Sequence, residues 1–166
     1  SDSIMAFPAI LLGAAVVAIL GPGFVQVAVA IAIAQSPLFA RLARAIALSE
    51  TRLEYVEAAE SMGATKLRIM LRHILPNSAG PLIVQASLSV GIAILLESGL
   101  SFLGLGVQPP TASWGSTLRT GFGYIEIAPW MSIFSGLFIF FGVFGACLMG
   151  DVLREKYDPR AAGGAL

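Results

Sequence analysis

Side chains that carry acid–base or metal chemistry are few in this chain, and its only long charged segment is residues 50–76, ETRLEYVEAAESMGATKLRIMLRHILP. The single histidine, His73, leaves no histidine pair for a zinc site. The single cysteine, Cys147, excludes an internal disulfide and a multi-cysteine metal site. The sequence contains no GxxxxGKS/T phosphate loop and neither HExxH nor GxSxG. We therefore expect the charged stretch to orient the chain or bind a partner, and not to catalyse a reaction.

This stretch has the pattern of two short helices around a glycine. Ser49 is a residue type that caps helices, so we expect the first helix to begin directly after it. Gly63 follows the helical pattern where a left-handed residue is favoured. Thr65 is suited to cap the second helix, and Pro76 is expected to end it because proline lacks the N–H that the helix interior needs.

Apolar residues along the first of these helices recur at every third position. They are Leu53, Val56, Ala59 and Met62. The glutamates of the helix stay mostly off this stripe, and they are Glu50, Glu54, Glu57 and Glu60. A stripe this narrow on so charged a segment favours docking onto a partner over building a core.

The rest of the chain has the composition of a membrane protein. It is 57% hydrophobic and 12% charged, its mean hydropathy is +0.85, and a soluble domain carries about 25% charged residues. Residues 3–40 contain no charge, which is about twice the length that one helix needs to cross a roughly 30 Å hydrocarbon core. We expect an all-α polytopic transmembrane helix bundle. Its four predicted spans are residues 4–20, 24–40, 79–97 and 127–150.

Prolines, glycines and charges set the expected ends of these spans. Ser36-Pro37 indicates a helix restart near the end of the second span, and Glu97 is expected to close the third. Residues 98–126 are broken by glycine and proline, and we predict an ordered outer loop with short helical pieces, because irregular backbone cannot face lipid. Pro129 suits the first turn of the fourth span, and residues 151–166 form the tail.

The positive charges are distributed unevenly. Nine of the ten lysines and arginines lie either in residues 41–76 or in the tail, and only Arg119 falls elsewhere. The positive-inside rule therefore predicts a cytoplasmic loop at 41–76, a cytoplasmic tail and an outward-facing loop at 98–126. Four spans would place both ends of the chain on the cytoplasmic side.

Charge alone leaves several interpretations open. Residues 41–76 could form a solvated connector whose charges only orient the chain, a helix-turn-helix, or a docking element. Short tethers to the spans and four glutamates, which repel phosphates, argue against nucleic acid. Glu97, an acid near the outer interface, is a candidate for contact with a substrate amino group or a cation, and the alternative is that it caps the adjoining loop.

One resemblance covers nearly the whole chain. Glu57-Ala58-Ala59, then Gly63, then Ile74-Leu75-Pro76 resemble the EAA loop of permease subunits of binding-protein-dependent ABC importers. The general pattern has isoleucine where this chain has His73, but His-Ile-Leu-Pro-Asn is similar to the dipeptide, oligopeptide and nickel branch. Other segments that agree with that branch in order are Gly21-Pro22-Gly23, Leu100-Ser101-Phe102-Leu103-Gly104-Leu105-Gly106, Pro109-Pro110, Ser113-Trp114-Gly115 and Ala128-Pro129-Trp130.

The resemblance implies a type I importer permease that lacks its N-terminal spans. Such a subunit forms half of a translocation pathway for peptides, nickel or a similar small solute, in the plasma (inner) membrane of a bacterium or archaeon. ATP is bound by partner subunits, so no cofactor is expected in this chain. The implied partners are a second homologous permease, two ATP-binding subunits, an extracytoplasmic solute-binding protein and membrane lipid, with no nucleic acid.

The resemblance also implies roles for particular residues. The expected ATPase-coupling residues are Tyr55, Glu57, Ala58, Ala59, Gly63, Leu75 and Pro76. In this role Glu57 supplies a charge-assisted contact, and the small alanines let the helix enter a cleft. Glu97 is placed on a possible translocation path. The alternative function is a secondary transporter or channel, for which charges near the middle of the spans are expected, and the predicted spans hold none away from their ends.

Overall fold

A computed structural model of the chain describes residues 7–157, which form helices joined by turns, with no strand among them. We number the helices α1 Ala9–Leu20, α2 Phe24–Glu50, α3 Glu54–Ser61, α4 Lys66–Ile69, α5 Leu75–Phe102, α6 Trp114–Gly123 and α7 Pro129–Tyr157. A π-helical turn, Met70–Ile74, joins α4 directly to α5. The predicted all-α fold is confirmed, and α7 begins at the proline that was expected in its first turn.

Three helical stretches are long and apolar enough to cross a membrane, namely Phe24–Glu50, Lys66–Phe102 and Pro129–Lys156. Helix α1 has 12 residues, which at 1.5 Å per residue is about 18 Å and shorter than the hydrocarbon core. The start of the first predicted span, residues 4–6, lies outside the described residues, as does the tail beyond residue 157. A count of four spans therefore stays a prediction.

The described residues divide into two compact units. The first unit consists of residues 7–37 and Leu88–Leu148, and it contains the predicted outer loop. The second unit consists of Leu38–Ser87 and residues 149–157, and it contains the predicted charged loop. Helices α2, α5 and α7 each contribute residues to both units.

The predicted helix restart at Ser36-Pro37 is wrong, because α2 continues through both residues to Glu50. Pro37 has no N–H to donate to the carbonyl of Ile33, four residues earlier. The Ser36 hydroxyl donates to that same carbonyl at 3.0 Å. The acceptor that proline leaves without its usual donor is thereby satisfied within the helix, so the helix does not need to end there.

The prediction that Pro76 ends the second short helix is also wrong, because helical backbone runs from Lys66 to Phe102. In the π-helical turn before it, the N–H of Leu75 donates to the carbonyl of Met70, five residues earlier. This wider turn starts a new α-helical register just before the proline. Pro76 is then the second residue of α5, where a missing N–H is tolerated.

Two further predicted helix ends are wrong. Glu97 does not close its helix, because α5 continues to Phe102. Ser49 does not cap α3, which begins at Glu54. The Ser49 hydroxyl instead donates to the carbonyl of Ile46 at 2.8 Å, and a serine bonded to the preceding turn in this way remains inside a helix.

The core of the first unit brings together residues of α1, α2 and α5. Its buried members are Val17, Val27, Ala30 and Leu100. Leu100 and Ala30 are completely buried, so the side chains of α2 and α5 meet with no room for water. Small residues such as Ala30 allow helices to approach closely in this way.

Glycines and serines form a second close contact in this unit, which we call the glycine–serine junction and define as Ser98, Ser101, Gly106 and Gly115. A Cβ atom on Gly115 would lie 2.7 Å from Cα of Ser98, and one on Gly106 would lie 2.5 Å from Cα of Ser101. Real Cβ atoms do not approach backbone this closely. The absence of side chains at these two glycines therefore lets the outer loop lie directly on α5.

Candidate functional site

Helix α3 carries Glu57, Ala58 and Ala59, and the structure divides them between two faces. Glu57 and Ala58 are exposed, whereas Ala59 is buried with only 4% of its surface exposed. The exposed pair is open to contact by a partner. Ala59, predicted to help the helix enter a cleft, instead fills a core within the chain itself.

This core corrects the prediction that the apolar stripe serves docking. The buried cluster consists of Val56, Ala59, Ile69 and Ile74. Only the ends of the stripe stay out of it, since Leu53 is 39% and Met62 is 81% exposed. The reason is tertiary: the segment containing α4 and the π-helical turn covers the middle of the stripe, and a pattern within one helix does not show what packs on it.

The turn between α3 and α4 has the predicted geometry. Gly63 has φ +81°, in the left-handed region that glycine adopts without strain. The N–H of Ala64 donates to the carbonyl of Ala59 at 3.1 Å, and that of Gly63 donates to Glu60 at 2.9 Å, which is the pattern of a Schellman motif. Thr65 caps α4 by accepting from the N–H of Arg68 at 3.4 Å. Both predictions are confirmed.

The Tyr55 hydroxyl is held by two side chains from different helices. It donates to the Glu50 carboxylate and accepts from Nδ2 of Asn77 at 3.1 Å. The ring lies beside that of His73, with 6.0 Å between centroids. The hydrogen bond to Glu50 raises the pKa of Tyr55 above its ordinary value of 10.0, because it stabilises the neutral phenol. Tyr55 therefore binds residues of its own chain.

Beside the turn lies an open groove of about 310 Å³. Its lining residues are Ala59, Met62, Gly63, Ala64, Arg68, Arg72 and His73. Arg68 and Arg72 are exposed, whereas the exposed residues of α3 include Glu54, Glu57 and Glu60. The helix pair thus presents acidic groups from α3 and basic groups from the segment that follows it.

Residues 1–163 match the protein family described as the binding-protein-dependent transport system inner membrane component. This chain belongs to that family. The resemblance to importer permeases is thereby confirmed over nearly the full sequence, and the helix pair described above is the EAA loop of a family member.

This inner membrane component is similar to permeases of several transport systems. It is 47% identical over 164 residues to the di/tripeptide transport system permease protein DppC of Pseudomonas aeruginosa, covering 99% of the chain and 54% of that protein. It is 46% identical over 159 residues to the glutathione transport system permease protein GsiD of Pectobacterium atrosepticum, covering 96% and 53%. The dipeptide transport system permease protein DppC of Alkalihalophilus pseudofirmus is 45% identical over 159 residues, covering 96% and 52%. The chain spans about half the length of these curated relatives.

The residues predicted for coupling all lie in the second unit, with different surroundings. Glu57, Ala58 and Pro76 are exposed, and Leu75 is 52% exposed. The other three have internal roles, since Gly63 makes the turn, Ala59 fills the core and Tyr55 joins two helices. Gly63 is itself exposed, so exposure alone leaves five of the predicted residues open to contact by a partner.

Glu97 lies in the first unit and lines a cavity of about 820 Å³. Among the described residues that line this cavity, it is the only charged one. The Ser101 hydroxyl donates to Oε1 of Glu97 at 2.7 Å, and the N–H of Val107 donates to that hydroxyl at 3.3 Å. Glu97 thus anchors the loop that follows α5 and also faces a cavity, so both interpretations of this residue are compatible with the geometry.

The sequence analysis did not predict the roles of Asn77 and Ser101, whose side chains join separate segments in the structure. Asn77 binds Tyr55 from 22 positions away, and no local period connects them. Ser101 joins Glu97 to the outer loop, and its position four residues after Glu97 was the only available signal, because such residues share a helix face.

Proposed function

We propose that this chain is the membrane-spanning part of an ATP-driven importer for peptides, or for nickel or a similar small solute. It forms half of the translocation pathway and is coupled to a cytoplasmic ATPase through α3. The observation that carries the proposal is the form of the EAA loop. Glu57 and Ala58 are exposed on a short helix whose opposite face is fixed by its own buried cluster. The family and the names of the relatives support the class of solute.

Coupling requires that movement of an ATPase displaces the long helices without being absorbed by a loose loop. Only three residues separate the end of α2 at Glu50 from α3, and α4 leads into α5 without a break. Since the helix pair has its own core, force applied to α3 acts on both long helices. A shielded contact at Glu57 contributes about 1.5 to 3 kcal/mol to docking.

The rest of the assembly follows from the same proposal. Two ATPase subunits bind ATP, so this chain has no cofactor and is not an enzyme. A second homologous permease completes the pathway, and an extracytoplasmic solute-binding protein delivers the solute. The EAA loop and both ends of this chain are cytoplasmic in the plasma membrane. The concentration of positive charge in the EAA loop and the C-terminal tail supports this orientation, and four spans would place the N-terminal end on the same side. Membrane lipid surrounds the helices, and no nucleic acid takes part.

Substitutions on the exposed face of α3 and in the turn after it test the proposal. In the full-length protein, Glu57→Lys and Gly63→Asp should abolish co-purification of the ATPase from membranes in mild detergent, with normal insertion of the permease. Glu155→Lys is the matched control, because it reverses an exposed charge on α7. A normal yield of ATPase from both Glu57→Lys and Gly63→Asp would contradict the proposal. Solute uptake that survives ATP depletion with the proton gradient held would favour a secondary transporter.

The Glu97 carboxylate is the group through which the cavity contacts a substrate ammonium group or another cation. Glu97→Gln separates this role from loop anchoring, because the glutamine oxygen still accepts from Ser101 while the charge is lost. The half-saturation concentration for uptake should rise about tenfold, the equivalent of about 1.4 kcal/mol, with unchanged ATPase association. Unchanged uptake would leave Glu97 with the anchoring role alone.

A further inference from the structure

The Tyr55 hydroxyl connects the end of one long helix to the beginning of the next. Its acceptor, Glu50, is the last residue of α2. Its donor, Asn77, is the third residue of α5. Tyr55 itself is in the first turn of α3. We call these three residues the Tyr55 clasp.

We propose that the Tyr55 clasp fixes α3 to the adjoining ends of α2 and α5, so that displacement of α3 moves both long helices together. This inference rests on the proposed function and assigns Tyr55 a positioning role in coupling. The residue need not contact the ATPase, because its hydroxyl is already occupied on both sides by its own chain.

The first turn of α3 packs on the buried cluster through Val56 and Tyr55, but no side chain caps it. The helix has eight residues, and its N-cap residue, Leu53, makes no side-chain capping hydrogen bond. An isolated helix of this length is marginal in water. The buried cluster holds one face of α3 through Val56 and Ala59, and the clasp adds hydrogen bonds from the first turn to the ends of α2 and α5.

The chemistry of the clasp requires a hydroxyl. Glu50 offers a carboxylate that accepts, and the Asn77 nitrogen donates. One atom must therefore donate and accept at the same time, which a phenol does and a phenylalanine ring does not. The Tyr55→Phe substitution keeps the ring beside His73 and removes both links in one step.

The effect of removing these two hydrogen bonds is measured as the coupling of transport to ATP hydrolysis. The full-length permease is reconstituted in liposomes with its co-purified ATPases and binding protein, and solute uptake is divided by ATP hydrolysed. Tyr55→Phe should lower this ratio about fivefold or more, because it removes both hydrogen bonds and each net bond corresponds to a factor of about five. ATPase co-purification should stay within about twofold of the wild type, because Glu57 and Ala58 remain exposed. Tyr124→Phe, which removes a hydroxyl from a 55% exposed tyrosine outside the clasp, is the matched control and should have no effect.

Variants of the two partners distinguish the clasp from general destabilisation. Glu50→Ala removes one of the two bonds and should lower the ratio, but less than Tyr55→Phe does, whereas Glu50→Gln, whose carbonyl still accepts the bond, should stay within about twofold of the wild type. Asn77→Ala should add no further loss to Tyr55→Phe, because both remove the same link. These partner variants also decide the matter if Tyr55→Phe fails to fold.

Failure of the clasp proposal and failure of the proposed function would give different results. A wild-type ratio in Tyr55→Phe and in Glu50→Ala would overturn the clasp and leave the importer function intact. Equal losses in Glu50→Gln and Glu50→Ala would also overturn it. A wild-type assembly that recruits no ATPase would overturn the proposed function, and the clasp with it.

Discussion

Glycine serves two different physical purposes in the two units of this chain. At the glycine–serine junction of the first unit, Gly115 is surrounded, and an added Cβ would lie 2.7 Å from Cα of Ser98. In the second unit, no atom lies within 4 Å of the place where a Cβ would be added to Gly63, but that residue has φ +81°. The glycine–serine junction therefore depends on the absence of a side chain, and the EAA turn depends on a backbone conformation.

This difference shows how the two regions keep their shape. The junction leaves no space for a side chain at Gly106 or Gly115, because the backbone of Ser98 and Ser101 lies against them, and such close packing leaves little room for adjustment. The EAA loop is held by a four-residue cluster and the Tyr55 clasp, and it has open space around its turn. Mutations should accordingly act on the first region through steric overlap and on the second through torsion and hydrogen bonding.

The largest effect is expected at the junction. Gly115→Ala should lower the free energy of unfolding by about 3 kcal/mol or more, because an added methyl group overlaps backbone that cannot move aside. Thermal unfolding of the detergent-purified protein measures this change. Gly136→Ala is the matched control: Gly136 lies in α7 with no atom within 4 Å of an added Cβ, and alanine there should stabilise by about 0.5 to 1 kcal/mol. Equal stability of the two variants would refute the steric account.

A smaller effect is expected at the EAA turn. Gly63→Ala should destabilise the loop by about 1 to 2 kcal/mol through the left-handed backbone alone. Gly63→Asn should cost less, since asparagine adopts this conformation more readily than alanine. Hydrogen exchange of the α3 and α4 amides would detect the loss locally. A cost as large as that of Gly115→Ala would erase the distinction between the two glycines.

The smallest effect concerns pH. Because the hydrogen bond to Glu50 raises the pKa of Tyr55 above 10.0, the folded state holds the phenol proton more tightly than the unfolded state. The stability that this bond contributes is fully present below pH 10 and is lost as pH rises through the higher folded pKa. Alkaline difference spectra of wild type against Tyr55→Phe report this titration, and Glu50→Ala should shift it to lower pH. A titration at or below pH 10 in the wild type would contradict the clasp geometry.

Local signals were sufficient for several features. Uncharged runs indicated an all-α membrane fold, because a helix satisfies its own backbone groups and needs only apolar side chains to enter lipid. Gly63 and Thr65 were predicted correctly, because turn and cap preferences depend on one residue and its nearest neighbours. The EAA loop was identified by its resemblance to importer permeases, and that resemblance is readable because its residues are close together in the sequence.

Other features could be determined only from the structure. Pro37 and Pro76 were expected to break helices, and the Ser36 hydroxyl and a π-helical turn keep those helices continuous. Val56 and Ala59 were expected on a docking face, and they are buried because a later segment covers them.

Composition and local spacing thus determined that this chain is helical and enters a membrane, because these properties are sums over neighbouring residues, and the resemblance to importer permeases identified its EAA loop. Which side chains of that loop remain exposed was decided only by folding. Burial of Ala59 and the bond from Asn77 to Tyr55 arise from contacts between segments, and such contacts form only when the chain brings distant residues together.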